Sequence, residues 1–260
     1  MSKTHEIVVV KPKPSSAELI RLTAEYFNAQ GVTYDSFDHS VSKRQEFTQA
    51  VNTRIASYLR EDADIKSILS VACGTGRREQ EIETLTGKPL DFLGVELSPE
   101  MAGVAVKREM KIVQGAWPDV DIGKTVFDAA FVLSALGHVP RVSERILFLQ
   151  KIGTHLRKKG ALFFDVLNID DVDEWGPEVR KVFEEEELEK HGFELGDVMY
   201  RKIGSPEVSY YHYFSLSEVE ELLSKAGFEM KEICYLGYGK HYGQETDADH
   251  GAMLVRAEKV

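Results

Sequence analysis

The chain has 260 residues, of which 43% are hydrophobic and 29% charged, and its mean hydropathy is -0.26. These values are typical of one globular domain and exclude disordered and collagen-like proteins. The 32 basic and 43 acidic residues give a net charge of -11. This charge disfavours a surface for nucleic acid or for an anionic membrane.

Targeting signals and cysteine usage favour a cytoplasmic protein. No apolar run reaches the roughly 18 residues of a membrane-spanning helix, and the first residues lack the apolar core of a signal peptide. The two cysteines, Cys73 and Cys234, are too few for a disulfide scaffold or a four-ligand zinc site. We therefore expect reduced thiols, no metal and no membrane partner, and the oligomeric state stays open.

The N-terminal quarter predicts an arm followed by helices. Residues 1–14 contain Pro12 and Pro14 and are expected to form a flexible arm. Residues 15–60 predict an N-terminal helical cap, because Ser15 or Ser16 can cap a first helix that ends near residue 29. An aromatic loop over 32–37 precedes a second helix, predicted from about 41 to 59.

Strands and helices then alternate, which predicts a parallel sheet. The predicted strands lie at 67–72, 92–96, 111–114, 127–133 and 161–166, with helices beginning near 77, 98 and 142. The alternation stops at residues 168–214, which contain an acidic run and an aromatic cluster and are expected to form an inserted cap segment.

The C-terminal part predicts one helix and a hairpin. Ser217 and Glu220 have the spacing of a capping box, and strands near 230–236 and 252–258 predict an antiparallel hairpin. The predicted fold is a single α/β domain over 15–260, with a doubly wound, mostly parallel seven-stranded sheet, a terminal antiparallel hairpin and a helical cap.

The turn after the first predicted strand carries the strongest ligand signal. Gly74 and Gly76 let a ligand approach the backbone beside a helix N-terminus. Glu96 lies 20 residues beyond Gly76 at the end of the next strand, where a carboxylate can accept hydrogen bonds from both ribose hydroxyls. The pair predicts an adenosine-containing ligand, with a chance combination of a tight turn and a surface glutamate as the alternative.

The residue at position 79 bears on which adenosine ligand this is. A dinucleotide-binding turn has a third glycine there, but this chain has Glu79. A carboxylate in the first helical turn opposes a pyrophosphate and tolerates a cationic sulfonium, so S-adenosylmethionine fits better than NAD. Arg77 and Arg78 favour phosphate instead and keep NAD as the alternative.

These residues resemble the class I S-adenosylmethionine-dependent methyltransferases over roughly residues 20–258. The likeness rests on the glycine motif at 71–76, Glu96, the strand at 127–133 and the loop at 135–139, which is similar to that of small-molecule members. The resemblance implies a Rossmann-like fold, with S-adenosylmethionine as cofactor and S-adenosylhomocysteine as product. The implied cofactor-binding residues are Tyr34, Ala72, Cys73, Gly74, Gly76, Glu96, Leu97, Ala116, Trp117 and Leu133.

Two departures from the family pattern concern the cofactor. The family often has an acid where this chain has Ser70 and a glycine where it has Ala72. Beyond the third strand, where many members have an acid for the adenine amino group, this chain has Ala116 and Trp117. We expect the Ala116 backbone and packing against Leu97 and Trp117 to hold adenine, with core packing of Trp117 as the alternative.

Methyl transfer from a sulfonium needs an aligned acceptor in a dry pocket and no covalent nucleophile. His138 is a candidate base, because its loop leaves the carboxyl end of the fourth strand; a hydrogen bond within the loop is the alternative. If 210–214 is extended, Tyr211 and Tyr213 face one side and His212 the other. We predict catalytic roles for His138 and His212 and substrate binding by Tyr211 and Tyr213, with packing beneath the cap as the alternative.

The sequence therefore predicts a methyltransferase that acts on an O or N atom of a small molecule. One alternative is a tRNA wobble-uridine-type enzyme, because residues 210–223 are similar to a stretch of that group; the net charge argues against it. The other is a regulatory module that binds the cofactor without turnover, which the departures at Ser70, Ala72 and Ala116 permit.

Overall fold

The apolar segments pair into two sheets in the computed structural model, which describes residues 5–35 and 42–260. The strands are β1 (His5–Ile7), β2 (Ser67–Val71), β3 (Asp91–Glu96), β4 (Lys111–Gln114), β5 (Phe127–Leu133), β6 (Leu156–Val166), β7 (Asp197–Lys202), β8 (Val208–His212), β9 (Phe228–Leu236) and β10 (Ala252–Lys259). The larger sheet has the order β4-β3-β2-β5-β6-β10-β9, with β2 to β6 parallel and β10 antiparallel to β6 and β9. The predicted mostly parallel sheet with a terminal hairpin is confirmed.

Helices cover both faces of the larger sheet. The α-helices are α1 (Ser16–Gln30), α2 (Ser42–Glu61), α3 (Arg77–Thr86), α4 (Pro99–Lys107), α5 (Val142–Thr154), α6 (Gly176–Glu185) and α7 (Leu216–Ala226), of which α1 and α6 pack with the smaller sheet. Successive strand residues point to opposite faces. Ile68 therefore packs with apolar residues of α2 and α3, whereas Leu69 packs with those of α5 and α7. Burial on both faces explains the continuous apolar runs in the sequence.

Helix starts follow local capping chemistry. Ser15 Oγ accepts a hydrogen bond from Glu18 N at 3.2 Å and caps α1 as predicted. The capping box predicted at Ser217 is wrong, because Ser215 is the extended residue before α7 and its Oγ accepts from Glu218 N at 3.2 Å. Residue 41, the predicted start of the second helix, and residues 36 and 37 of the aromatic loop lie outside the described residues.

The smaller sheet is antiparallel, with the order β1-β7-β8, and lies in the cap. The inserted segment thus adds strands to the expected helices. The flexible arm predicted over 1–14 is wrong for residues 5–14, because His5–Ile7 pairs with β7 and Lys13 forms a buried ion pair with Asp197. Prolines indicated an irregular segment, but its Lys13 pairs with Asp197, which lies 184 residues away in the sequence.

The two sheets leave a space between them. The loops after β2, β3, β4, β5 and β6 meet at the carboxyl edge of the larger sheet, and α1 with the smaller sheet covers that edge. Within 5–35 and 42–260, no helix has both the length and the hydrophobicity needed to cross a lipid bilayer.

Candidate active site

A cavity of about 1010 Å³ lies at the carboxyl edge of the parallel strands, beneath α1 and the smaller sheet. Ligands of α/β folds bind at this edge. The volume reaches the upper end of the range for single-ligand pockets, roughly 300–1,000 Å³. The cavity therefore has room for a cofactor and an acceptor side by side.

Glu96 lines the cavity and is 7% exposed. Its Oε2 accepts a hydrogen bond from Gly74 N and its Oε1 accepts one from Ser98 N, both at 2.8 Å. Burial raises the pKa of this carboxyl, although these amide hydrogen bonds oppose the rise. Each carboxylate oxygen can accept a second hydrogen bond, so the geometry fits a ribose diol.

The glycine turn is shaped by backbone conformation. Gly74 has a φ of +57° and lines the cavity, and only Met101 Sδ, at 3.8 Å, would lie near a Cβ atom there. Ala72, also in the wall, has a φ of 56°, a conformation that glycine adopts more easily. Gly76, which the sequence predicts to contact the cofactor, does not line the cavity. It shapes the turn with a φ of +73°, and a Cβ atom at this position would lie 3.0 Å from Met110 Sδ.

Glu79 lies behind the glycine turn and is absent from the cavity wall among the described residues. Ser70 Oγ donates a hydrogen bond to Glu79 Oε1 at 2.6 Å. Burial raises the pKa of this carboxyl. The sequence argument against NAD assumed that Glu79 would lie next to a phosphate. Because Glu79 does not line the cavity, this argument does not exclude a dinucleotide.

Arg78 lies in the cavity wall beside the turn and was not predicted as a site residue. Its Nε donates to Asn52 Oδ1 at 3.0 Å, and its Nη1 donates to Ser134 Oγ and Asp165 Oδ1 at 3.1 and 3.2 Å. Its Nη2 is buried and has no hydrogen-bond partner. Arg78 thus brings a positive charge to the cavity wall beside the glycine turn, which suits the carboxylate of the methionine part of the cofactor.

Another part of the cavity wall is apolar and aromatic. Leu97, Ala116 and Trp117, which the sequence predicts to hold adenine, line it. Trp117 Nε1 donates to the Phe148 carbonyl at 3.0 Å, and the two rings lie 6.3 Å apart. Trp117 also packs against the core beneath. Trp117 is therefore a core residue with one edge in the cavity, and its contact with adenine stays a prediction.

Tyr34 and Leu133 also line the cavity, and so does Cys73. The segment that carries Tyr34 is fastened to the glycine turn, because Thr75 Oγ1 donates to Asp35 Oδ1 at 2.8 Å. Both cysteines of the chain are free thiols, and burial raises the pKa of Cys73.

His138 lines the same cavity. Its Nδ1 lies 2.7 Å from the Tyr210 carbonyl oxygen, and its ring lies between those of Phe27 and Tyr211, at 5.2 and 5.1 Å. Burial lowers the pKa of His138 to about 4, against the opposing hydrogen bond. Because a carbonyl only accepts, Nδ1 carries the proton and Nε2 keeps a lone pair. The loop hydrogen bond expected as an alternative thus coexists with a cavity position.

The aromatic cluster alternates across β8 and beyond. Tyr211 and Tyr213 line the cavity together with His138, as predicted. His212 points away and is buried, and its two ring nitrogens contact Asp197 Oδ1 at 2.7 Å and Glu218 Oε2 at 2.9 Å. The predicted catalytic role of His212 is therefore wrong, because its ring does not reach the cavity.

A buried polar network surrounds His212. One potential metal-ligand atom from each of Glu194, Asp197 and His212 lies within 4.8 Å of the other two, a spacing compatible with a metal ion. Protein cations already neutralise these acids: Asp197 accepts from Lys13 Nζ at 2.6 Å, and Glu194 pairs with Arg145. Burial raises the pKa of Asp197, but His212 and Lys13 lower it overall. The trio is a structural cluster that joins the N-terminal segment to the cap.

The part of the cavity around His138, Tyr211 and Tyr213 forms a second compartment, and sequence reasoning missed many of its residues. Its walls include aromatic rings from α1, the cap and the C-terminal loop, whose spacing in the sequence shows no pattern: Phe27, Trp175, Tyr200, Tyr238 and Tyr242. Three acidic side chains of the cap join them, Asp173, Glu174 and Glu178. A cluster of acids and aromatics near 170–178 was the available signal.

Comparison with known proteins agrees with this geometry. The sequence profile of a methyltransferase-domain family matches residues 41–233, and the chain therefore belongs to that family. With the fold and the glycine turn, this membership defines a class I S-adenosylmethionine-dependent methyltransferase.

Solved structures share the fold at low sequence identity. A 1,6-didemethyltoxoflavin-N1-methyltransferase from Burkholderia thailandensis is 17% identical, with a TM-score of 0.64 and coverage of 100% of this chain and 97% of that chain. A possible histamine N-methyltransferase from Thermotoga maritima is 19% identical, with a TM-score of 0.61 and coverage of 91% and 99%. An S-adenosylmethionine-dependent methyltransferase from Clostridium acetobutylicum is 13% identical, with a TM-score of 0.63 and coverage of 87% and 99%.

Proposed function

We propose that the protein transfers the methyl group of S-adenosylmethionine to an O or N atom of a small molecule. The observation that carries the proposal is one continuous cavity with two unlike ends. The glycine turn and Glu96 lie at one end, and His138, Tyr211 and Tyr213 lie at the other. A module that only binds the cofactor has no need of the second, aromatic compartment.

The bound cofactor supplies a sulfonium methyl group, and the chain supplies alignment and a dry site. His138 Nε2 can accept a hydrogen bond from an acceptor N–H or O–H and so orient its lone pair. With a pKa of about 4, His138 is neutral near pH 7 and is a weak base. Its principal role is therefore to hold the acceptor.

Carboxylates and aromatic rings in the acceptor compartment favour nitrogen. Glu174 and Glu178 line it, and Tyr213 lies close enough to Glu174 that this charge adds to burial in raising the tyrosine pKa. Aromatic faces attract cations, and carboxylates stabilise the positive charge that an amine nitrogen gains on methylation. The similar structure from Burkholderia thailandensis is described as an N1-methyltransferase and the one from Thermotoga maritima as a possible N-methyltransferase, which supports the same preference.

A methyl-transfer screen tests the proposal. Amines, heterocycles, phenols and carboxylic acids are offered in pairs of similar shape, and products are identified by mass. The Gly74→Val variant serves as the cofactor-blocked control, because a branched side chain opposes the positive φ and enters ligand space. We expect methylated amines with the natural protein alone.

Two outcomes would contradict this function. Cofactor binding with no product from any acceptor class would favour a binding module. Methylation of tRNA, with binding that weakens steeply as salt increases, would favour the nucleic-acid alternative.

A further inference from the structure

Six aromatic rings form a continuous series in the wall of the acceptor compartment. Each ring lies edge-on to the next, with centroids 5.1–5.7 Å apart. The ends of the series lie near each other, because an ionised Tyr200 adds to the effect of burial in raising the pKa of Tyr213. We call this series the aromatic collar; in order, its members are Tyr200, Tyr26, Phe27, His138, Tyr211 and Tyr213.

Core packing explains only part of the collar. Tyr211 and Tyr213 pack against the buried Ile169 and Val179 on one side. All six rings also line the cavity, although they come from α1, β7, β8 and the loop after β5. A core needs apolar volume and no particular ring, whereas aromatic faces in a cavity wall attract cations. The collar is therefore suited to a positively charged group.

The charged residues of the cavity wall are divided in the same way. Its two arginines lie at the glycine turn, where Arg78 pairs with Asp165. Beside the collar, the described part of the wall contains the carboxylates of Glu174 and Glu178 and no lysine. The charge of Glu174 reaches Tyr213, because it adds to the rise in the pKa of that tyrosine. Carboxylates and rings thus favour a cation at the same end of the cavity.

The reacting nitrogen cannot be this cation. An ammonium nitrogen has no lone pair with which to attack a methyl group. His138, with its pKa lowered to about 4, is neutral near pH 7, and its Nε2 accepts a hydrogen bond from a neutral N–H. Two ring contacts, of 5.1 and 5.7 Å, lead from His138 through Tyr211 to Tyr213. A nitrogen beside His138 and a cation beside Tyr213 are therefore different atoms.

We propose that the acceptor has two nitrogen centres, a neutral one that is methylated beside His138 and a cationic one that the collar holds near Tyr213 and Glu174. This inference rests on the proposed function and names the class of its acceptor. The lone pair of the neutral nitrogen forms the bond to the methyl carbon while the carbon–sulfur bond breaks, and that electron pair stays on sulfur. The methylated nitrogen then releases a proton to water, and the cationic centre is unchanged.

The test compares two primary amines of the same shape that differ in one charge. One is the (4-aminobutyl)trimethylammonium ion, and the other is its carbon isostere, 5,5-dimethylhexylamine. A quaternary nitrogen keeps its charge at every pH and cannot be methylated, so each compound has one acceptor nitrogen. We expect the natural protein to use the trimethylammonium compound with a kcat/KM on the order of tenfold to a hundredfold higher.

Variants of the collar and its acid locate the effect. Glu174→Gln should lower this kcat/KM ratio severalfold, because the neutral amide no longer attracts the cation. Tyr213→Leu should also lower it, whereas Tyr213→Phe keeps a ring and should retain most of the preference. Since Tyr213 is only 3% exposed and its loss can destabilise the fold, Glu174→Gln is the decisive variant. Asp119→Asn, which neutralises an exposed carboxylate elsewhere in the cavity wall, should leave the ratio unchanged.

The outcomes separate this inference from the proposed function. Equal kcat/KM values for the two amines, or an undiminished ratio in Glu174→Gln, would overturn the second cationic centre. Methylation of other amines with no transfer to the trimethylammonium compound would overturn it as well. Each of these results leaves methyl transfer to a small molecule intact. Cofactor binding without methylation of any acceptor would instead contradict the proposed function.

Discussion

The ring of Tyr211 lies against the backbone of Gly137, so that a Cβ atom at residue 137 would fall 2.3 Å from Tyr211 Cζ. This contact joins strand β8 of the cap to the loop that carries His138. The Tyr211 hydroxyl also accepts a hydrogen bond from Leu167 N at 3.3 Å, which ties the ring to the end of β6. Only glycine at position 137 leaves room for this aromatic wall.

Gly137→Ala should displace Tyr211 and raise the acceptor KM on the order of tenfold, because a backbone-borne methyl group cannot occupy the space of a ring. Tyr211→Ala should raise KM through lost apolar contact, by about 1–3 kcal/mol. In the double variant, Gly137→Ala should add little to the KM effect of Tyr211→Ala, because the ring that the methyl group would displace is absent. Steady-state kinetics on the four proteins measure this coupling, and fully additive effects would contradict the steric explanation.

Glu96→Ala should weaken S-adenosylhomocysteine binding by about 1.5–3 kcal/mol, the scale of hydrogen bonds to a charged group. Glu96→Gln keeps one carbonyl acceptor and should lose less. Calorimetry measures both, with circular dichroism to confirm the fold, because the amides of Gly74 and Ser98 lose their partner in the alanine variant. Unchanged affinity in both variants would remove the ribose assignment.

Arg78→Gln should weaken S-adenosylhomocysteine far more than 5'-methylthioadenosine, which lacks the amino-acid part. The selective loss should be about 1.5–3 kcal/mol, because only the first ligand offers a carboxylate to Nη2. Calorimetry with the two ligands separates this contact from the contacts of Arg78 with Ser134 and Asp165. Equal losses for the two ligands would show that Arg78 acts through those neighbours.

His138 makes stability depend on pH in a defined window. Its folded-state pKa of about 4 lies below the value near 6.5 of an exposed histidine, so the unfolded chain binds more protons between those pH values. The stabilisation is complete above pH 6.5 and is lost as pH falls toward 4, by up to about 3 kcal/mol.

In the His138→Gln variant, this component of the slope should disappear from urea unfolding measured between pH 4.5 and 7.5. His138→Ala should also raise the acceptor KM while leaving cofactor affinity nearly unchanged. Parallel stability profiles for the natural protein and His138→Gln would mean that water reaches the ring and restores an ordinary pKa.

Lys13→Met should destabilise the protein by about 3–5 kcal/mol, because it leaves the Asp197 carboxylate buried without its cation. Lys13 Nζ also donates to the Pro140 carbonyl at 2.8 Å, two residues beyond His138, so the acceptor KM should rise as well. Lys11→Met is the matched control: its ion pair with Glu186 is solvent-exposed and should contribute under about 1 kcal/mol. Similar melting temperatures for the two variants would contradict the buried-pair argument.

Local patterns predicted the framework well. The apolar run at 67–72 and the strand ending in Glu96 fall within a residue or two of β2 and β3, because burial on both faces requires apolar residues throughout. The meeting of Gly74 and Glu96 also followed, since neighbouring parallel strands end at the same edge.

Long-range partners were beyond local patterns. Nothing near Lys13 indicates Asp197, and nothing near Tyr200 indicates a cavity formed by loops from other strands. The alternation of Tyr211 and His212 was predictable from strand geometry, but which of the two faces the cavity depends on how β8 lies against the loop containing Gly137. The catalytic role predicted for His212 was therefore wrong, although its predicted place on the face opposite Tyr211 and Tyr213 agrees with the structure.

The two faces of β8 have different tolerance to sequence change. Tyr210 and His212 belong to the hydrogen-bond network of Lys13 and Asp197. Substitutions at these two positions therefore disturb the attachment of the cap. Tyr211, and Tyr213 just beyond the strand, contact the cavity on the other face. New acceptor preferences can thus arise by changing every second residue of one short segment while the alternate residues keep the domain assembled. Among related enzymes that diverged toward different acceptors, variation should concentrate at positions 211 and 213 and be lowest at 210 and 212.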